Sequence, residues 1–215
     1  MQPTLAVIDI DVFSGQDELT REGLLQNLNR STSPAITPLW VNWLRERADL
    51  RVVCLVHDLA DFDEFLVKVI RTVPGVRGTA AQLSFGGVVR YEPLMDLPLQ
   101  KSVWTRRAAA TVQVKSQPGR DDEVYRALIG LPRHHHVEVV WVLKLFHSPE
   151  ADLMLLLLGE RTAALTGYVM SWVRTVPGVV DTQLTSVLDW EILGRIEDFI
   201  ELARCFPEPS PTPKK

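Results

Sequence analysis

Arg71-Thr72-Val73-Pro74-Gly75-Val76 returns as Arg174-Thr175-Val176-Pro177-Gly178-Val179, 103 residues further along the chain. The same displacement carries Ala48-Asp49-Leu50 onto Ala151-Asp152-Leu153, Ala60 onto Ala163 and Thr79 onto Thr182. Matches held at one offset, with no gap between them, describe one structural unit present twice. A chain of 215 residues then divides into two modules of about 95 residues, each large enough for a small core of its own. Function is expected where the modules meet.

Composition narrows the classes. A net charge of −4 with no stripe of Lys and Arg argues against direct nucleic-acid binding. Cys54 and Cys205 lie far apart with no metal-type spacing, which predicts reduced thiols and a cytoplasmic protein. Asp9 and Asp11 stand where a secretory signal needs a basic start and an apolar stretch, so no export is expected. The longest purely apolar run, Leu153 to Leu158, is far too short to span a bilayer, and no membrane partner is expected.

Periodicity gives the elements. Strands are predicted over 5–13, 36–44, 50–57 and 79–91, with helices over 17–29 and 61–73. The second half repeats the order, with strands over 108–114, 137–146, 153–158 and 182–192 and helices over 121–129 and 165–176. Each unit reads βαββαβ, the ferredoxin-like pattern. The predicted boundaries are a first repeat over 1–92, a linker over 93–103, a second repeat over 104–194, a terminal helix over 195–206 and a Pro-rich disordered tail over 207–215.

The strands carry a second message. A ferredoxin-like sheet with helices on one face and water on the other should alternate apolar and polar residues. Val52-Val53-Cys54-Leu55-Val56 and Leu153 to Leu158 do not alternate, so both of their faces are covered. Covering a bare sheet face of ~500 Å² of apolar surface contributes on the order of 10 kcal/mol, as much as the net stability of a domain. The economical cover is the sister sheet. The predicted architecture is α+β: tandem ferredoxin-like repeats forming a (pseudo)dimeric α/β barrel, with two four-stranded antiparallel sheets stacked face to face.

At these residues the chain resembles the effector-binding domain of the Lrp/AsnC family of transcriptional regulators. Asp49-Leu50-Arg51-Val52-Val53 and Asp152-Leu153-Met154-Leu155 match its third strand. The two Val-Pro-Gly-Val turns, followed by Thr79 and Thr182, match the end of its second helix and its fourth strand. Glu46 and Pro149 stand where the family usually has Gly, and no helix-turn-helix pair precedes Leu5. The resemblance implies a non-enzymatic module for sensing a small metabolite, possible amino acids included, or for assembly into a homo-oligomer, with no cofactor and no DNA-binding domain of its own. Asp49, Asp152, Arg45 and His147 are the expected ligand contacts, although both aspartates also read as turn residues whose carboxylates accept backbone N–H bonds.

Two further constellations carry chemistry. His134 and His136 open a strand two residues apart and could chelate one metal ion; the alternative is a solvated loop. Asp9 and Asp11 share a strand face and could act as paired carboxylates, but they align with Thr111 and Gln113, which favours a hydrogen-bonded face. No nucleophile elbow, zinc-protease or phosphate-loop sequence is present. The same stacked-sheet fold also houses small enzymes, cofactor-free monooxygenases and haem proteins of the chlorite-dismutase type among them. A polar pocket between a sheet and its helices, containing a His, would favour that second reading.

Overall fold

The computed structural model describes residues 3–31, 33–45, 49–99, 107–132, 134, 136–146 and 148–208. The first half runs β1 (Thr4–Val12), α1 (Asp17–Arg30), β2 (Ile36–Leu44), β3 (Leu50–Val56), α2 (Phe62–Phe65, continued as a π turn over Leu66–Ile70) and β4 (Val76–Val89). Helix α3 (Tyr91–Leu99) follows, within the segment expected to be linker. The second half runs β5 (Ala108–Ser116), α4 (Asp121–Ile129), β6 (Val137–Phe146), β7 (Leu153–Gly159), α5 (Thr162–Tyr168, continued as a π turn over Val169–Val173) and β8 (Val179–Ile192). Helix α6 (Ile196–Cys205) ends the fold. Residues 209–215 of the expected tail lie outside the described residues.

All eight strands belong to one antiparallel sheet closed into a barrel, in the order β1-β3-β2-β8-β5-β7-β6-β4. A barrel was expected, but its two four-stranded halves are one continuous sheet rather than two stacked ones. In the first half's run β4-β1-β3-β2, the outer strands would expose unpaired N–H and C=O groups. Strand β8 takes up the edge of β2, and β6 takes up the edge of β4. The non-alternating strands are explained all the same. Ala6, Ile8, Val52 and Cys54 pack outward under the helices, while Leu5, Val7, Val53 and Leu55 fill the barrel.

The repeated motif has a local cause in each half. Arg71 Nε donates to Thr79 Oγ1 at 2.9 Å and Arg174 Nε to Thr182 Oγ1 at 2.8 Å, tying each second helix to the strand that follows. Between them Gly75 and Gly178 take φ of 90° and 98°, a conformation that costs an L-residue about 1–2 kcal/mol. A contact between helix and strand is also repeated with its partners exchanged. Arg21 on α1 lies 4.2 Å over the Trp43 ring on β2, and Lys144 on β6 lies 4.5 Å over the Tyr125 ring on α4.

Inside the barrel the side chains are layered. Both β2 and β6 bulge, so that Trp40 pairs with Val53 and Trp141 with Leu156. The two indoles stack with centroids 5.2 Å apart and planes 19° from parallel. Helix α6 closes this end with Phe199, Leu202 and Phe206, all buried. One layer further along, Arg51 on β3 is only 2% exposed. Its Nε and Nη2 donate to the Asp9 carboxylate at 2.6 and 3.0 Å, and its Nη1 donates to Thr111 Oγ1 of the second half at 2.6 Å.

Candidate functional site

Each half leaves a cleft between its second helix and the loop that enters the strand after its first helix. The first-half cleft, about 210 Å³, is lined by Asp61 just before α2 and by Glu64, Phe65, Lys68 and Val69 on it, with Ser31 and Ser33 opposite. The second-half cleft, about 280 Å³, is lined on α5 by Ala164, Gly167, Tyr168, Ser171 and Trp172, with His134 and His136 opposite. The helix positions correspond one to one at the 103-residue offset. The fold therefore makes the same cleft twice and lines it with different chemistry.

In the first half the lining is charged. Glu64 and Lys68 form an i,i+4 ion pair on the helix surface, and the ammonium holds the Glu64 carboxyl below its usual range. In the second half every one of those charges is gone. Trp172 is 39% exposed and forms a wall. The His134 and His136 rings lie 5.8 Å apart, and the His134 ring meets Tyr168 edge-on at 6.4 Å. His136 Nδ1 is 3.1 Å from Glu160 Oε1. That carboxylate favours the tautomer with Nδ1 protonated and Nε2 as a proton acceptor.

Tyr168 is the most informative residue of the cleft. It stands where the first half has Phe65, it is 4% exposed, and its hydroxyl is buried without a hydrogen-bond partner among the described residues. Leaving a buried hydroxyl unpaired costs about 1–3 kcal/mol, a cost that the Trp40 and Trp141 indole N–H groups and the Asn42 side-chain oxygen carry as well. Burial pushes the Tyr168 pKa up, and the positive charge of Arg90 only partly opposes this. The phenol stays neutral and can donate a hydrogen bond.

The residues expected to contact a ligand are scattered. Asp49 Oδ2 accepts the Val12 N–H at 2.6 Å. Asp152 Oδ2 accepts the Ser116 N–H and hydroxyl, each at 2.8 Å, and Oδ1 takes the Lys115 ammonium at 3.0 Å. Burial disfavours the Asp152 carboxylate, but these donors outweigh it and hold the pKa below its usual range. Both aspartates thus pin the end of a first strand to the start of a third. Arg45 is exposed and uses its backbone N–H on Ser186 O; His147 lies outside the described residues. His134 and His136 do come together, in the cleft, but no cluster of three or more metal-ligating side chains occurs among the described residues. Asp9 and Asp11 form no dyad: Asp9 faces Arg51, and Asp11 lies 3.7 Å from Arg77. Tyr168, Trp172 and Gly167 were not singled out from the sequence as site residues. Comparing the second helices position by position at the 103-residue offset would have exposed them.

Neither the known protein families nor the curated proteins give a match to the chain. Solved structures do. An anthrone oxidase-like protein is 11% identical with a TM-score of 0.60, covering 91% of this chain and 95% of its own. A mutant chlorite dismutase from Candidatus Nitrospira defluvii is 14% identical with a TM-score of 0.53, covering 94% and 95%. A protein provisionally described as a monooxygenase, from Lactobacillus acidophilus NCFM, is 5% identical with a TM-score of 0.54, covering 89% and 97%. These neighbours are dimeric α/β barrel proteins, and the chain shares their fold. The narrower Lrp/AsnC likeness rests on its short motifs alone.

This likeness corrects three expectations. The neighbours are named as enzymes, which overturns the non-enzymatic sensing or assembly module and the expectation that the chain is not an enzyme. The expectation of no cofactor falls too, because the chlorite dismutases among them are of the haem class introduced above. The cleft that holds the imidazoles is, however, too small for a haem. A porphyrin belongs in the upper part of the roughly 300–1,000 Å³ range of small-molecule sites, and the cleft that holds the imidazoles has about 280 Å³. No described helix is long and apolar enough to cross a membrane.

Proposed function

We propose that the second-half cleft is the active site of an oxidoreductase that acts on a small, flat aromatic substrate bearing an acidic O–H or C–H group. The observation that carries this reading is a cleft lined by two imidazoles and by the Trp172 and Tyr168 rings, the Tyr168 hydroxyl having no hydrogen-bond partner among the described residues. Trp172 and the Tyr168 ring offer aromatic walls. His136, fixed through Nδ1 by Glu160, takes the substrate proton at Nε2. The neutral Tyr168 hydroxyl donates to the oxyanion that develops and so gains the partner it lacks. The resulting anion is electron-rich, with dioxygen as its oxidant. For an activated methylene, one oxygen atom becomes the carbonyl and the other leaves as water with the two displaced hydrogens.

The same proposal includes duplication within one chain. The shared offset, the twin clefts and the exchanged cation–π partners support two copies that build together the barrel that a dimer builds from two chains. Assembly into a homo-oligomer would then use the outside of the barrel, and sedimentation velocity reads it.

Oxygen uptake with anthrone and with naphthols, followed by mass spectrometry of the product, tests the activity. Wild-type turnover that falls at least about tenfold in Tyr168→Phe and in His136→Ala is expected, the scale of losing one acid–base or oxyanion group. No turnover, together with a stoichiometric Soret band on adding haemin, would replace this reading with a haem enzyme.

A further inference from the structure

Gly167 sits inside α5, where glycine is among the least favourable residues. Its φ is not in the left-handed region, so the backbone does not demand it. A Cβ built on it would meet nothing within 4 Å, so no neighbour demands it either. The π turn that follows is not the cause, because the first half makes the same turn with Glu64 at the equivalent position. The flanking positions change in the same sense: Asp61 corresponds to Ala164 and Lys68 to Ser171. Three charged side chains of the first-half cleft thus stand opposite small ones in the second, at the cleft that Tyr168 lines.

We infer that Gly167 determines which ligands the second-half cleft admits, by leaving the α5 backbone bare for a flat ring to lie on. This rests on the reading of the cleft as an aromatic site. A side chain at position 167 would occupy the space where the ring stacks, so glycine is kept despite its poor helix propensity. The residue sets shape and takes no part in proton transfer.

The experiment compares wild type with Gly167→Ala, Gly167→Leu and Glu64→Gly. Binding of 1-naphthol, with cyclohexanol as the non-planar contrast, is followed through the amide of residue 167 and the Trp172 indole by NMR, alongside Tm. Wild type binds naphthol and not cyclohexanol. Gly167→Ala raises Tm by roughly 2–4 °C yet weakens naphthol at least about tenfold, as an intruding methyl group does in a tight pocket. Gly167→Leu abolishes binding, and Glu64→Gly lowers Tm without touching it. Equal naphthol affinity in wild type and both Gly167 variants overturns the inference while leaving the cleft reading intact. A lower Tm in Gly167→Ala overturns it as well, since the glycine would then be structural. Failure of wild type to bind naphthol removes the cleft reading, and this inference with it.

Discussion

The Arg51–Asp9 pair allows a sharp test of how the two halves are held together. Arg51→Met leaves the Asp9 carboxylate, 15% exposed, without its cation and removes three charge-assisted bonds, one of them to Thr111 across the barrel. Breaking one partner of a buried pair costs about 3–5 kcal/mol, or roughly 10 °C in Tm for a chain of this length. Asp9→Thr leaves the more deeply buried Arg51 unpaired and should cost at least as much. The double variant is different in kind. Met154 and Gln113 occupy the corresponding positions of the second half, so Arg51→Met with Asp9→Thr makes the layer neutral on both sides of the barrel. Replacing a whole buried pair with packed neutral residues is often neutral or stabilising. The double variant should therefore return to within about 1 kcal/mol of wild type, a coupling of at least about 3 kcal/mol. Urea unfolding at neutral pH, followed by tryptophan fluorescence, measures the cycle. Losses that simply add would refute the claim that the pair offsets a burial cost of its own making.

Other perturbations read out separate parts of the fold. Tyr168→Phe restores the residue type of Phe65 and removes an unpartnered hydroxyl, so urea unfolding should show it up to about 1 kcal/mol more stable than wild type while substrate turnover falls. Asp152→Asn should destabilise at pH 7, where the lowered pKa of the folded carboxyl contributes stability. That contribution is complete above the unfolded value of about 3.9 and is lost as pH falls through the lower folded value, so the wild-type advantage in unfolding midpoint should vanish toward pH 2. Gly75→Ala should cost more than Gly178→Ala, both on the order of 1–2 kcal/mol or above because φ is positive. At Gly75 the new Cβ runs into the fully buried Thr20 hydroxyl, and at Gly178 it meets a Val124 methyl group at 2.9 Å. Thermal denaturation of the two variants ranks them.

The repeat made the strands and helices legible, because Asp49, Gly75, Thr79 and their counterparts keep one spacing. It hid the centre of the barrel for the same reason. Trp40 and Trp141 are equivalent through their bulges, but they stand 101 residues apart, so a fixed offset never aligns them. The expected barrel was read as two stacked four-stranded sheets, whereas the strands form one closed sheet. Hydrophobic pattern reports which faces are buried, whereas closure depends on edge hydrogen bonds, which leave no trace in apolar periodicity. His134 and His136 drew attention as a chelating pair because spacing is visible in sequence. Their shared cleft with Tyr168 was not visible, because it needs α5 laid across the loop before β6.

The asymmetry of the two halves is itself an argument about function. In a barrel built from two identical chains, any substitution appears twice, so a glycine opening one cleft opens both and an arginine in one wall faces its own copy. Here the first half keeps the charges: Arg51 and Asp9 inside the barrel, Glu64 and Lys68 on α2. The second half has Met154 and Gln113 inside, with Gly167, Ser171 and Tyr168 at its cleft. Polar locking and aromatic binding make opposite demands on side-chain size and hydration. Under the proposed reading, placing them in different halves lets each be met without weakening the other, and the second-half cleft is where the chain accepts poor helix propensity and a buried hydroxyl with no partner among the described residues.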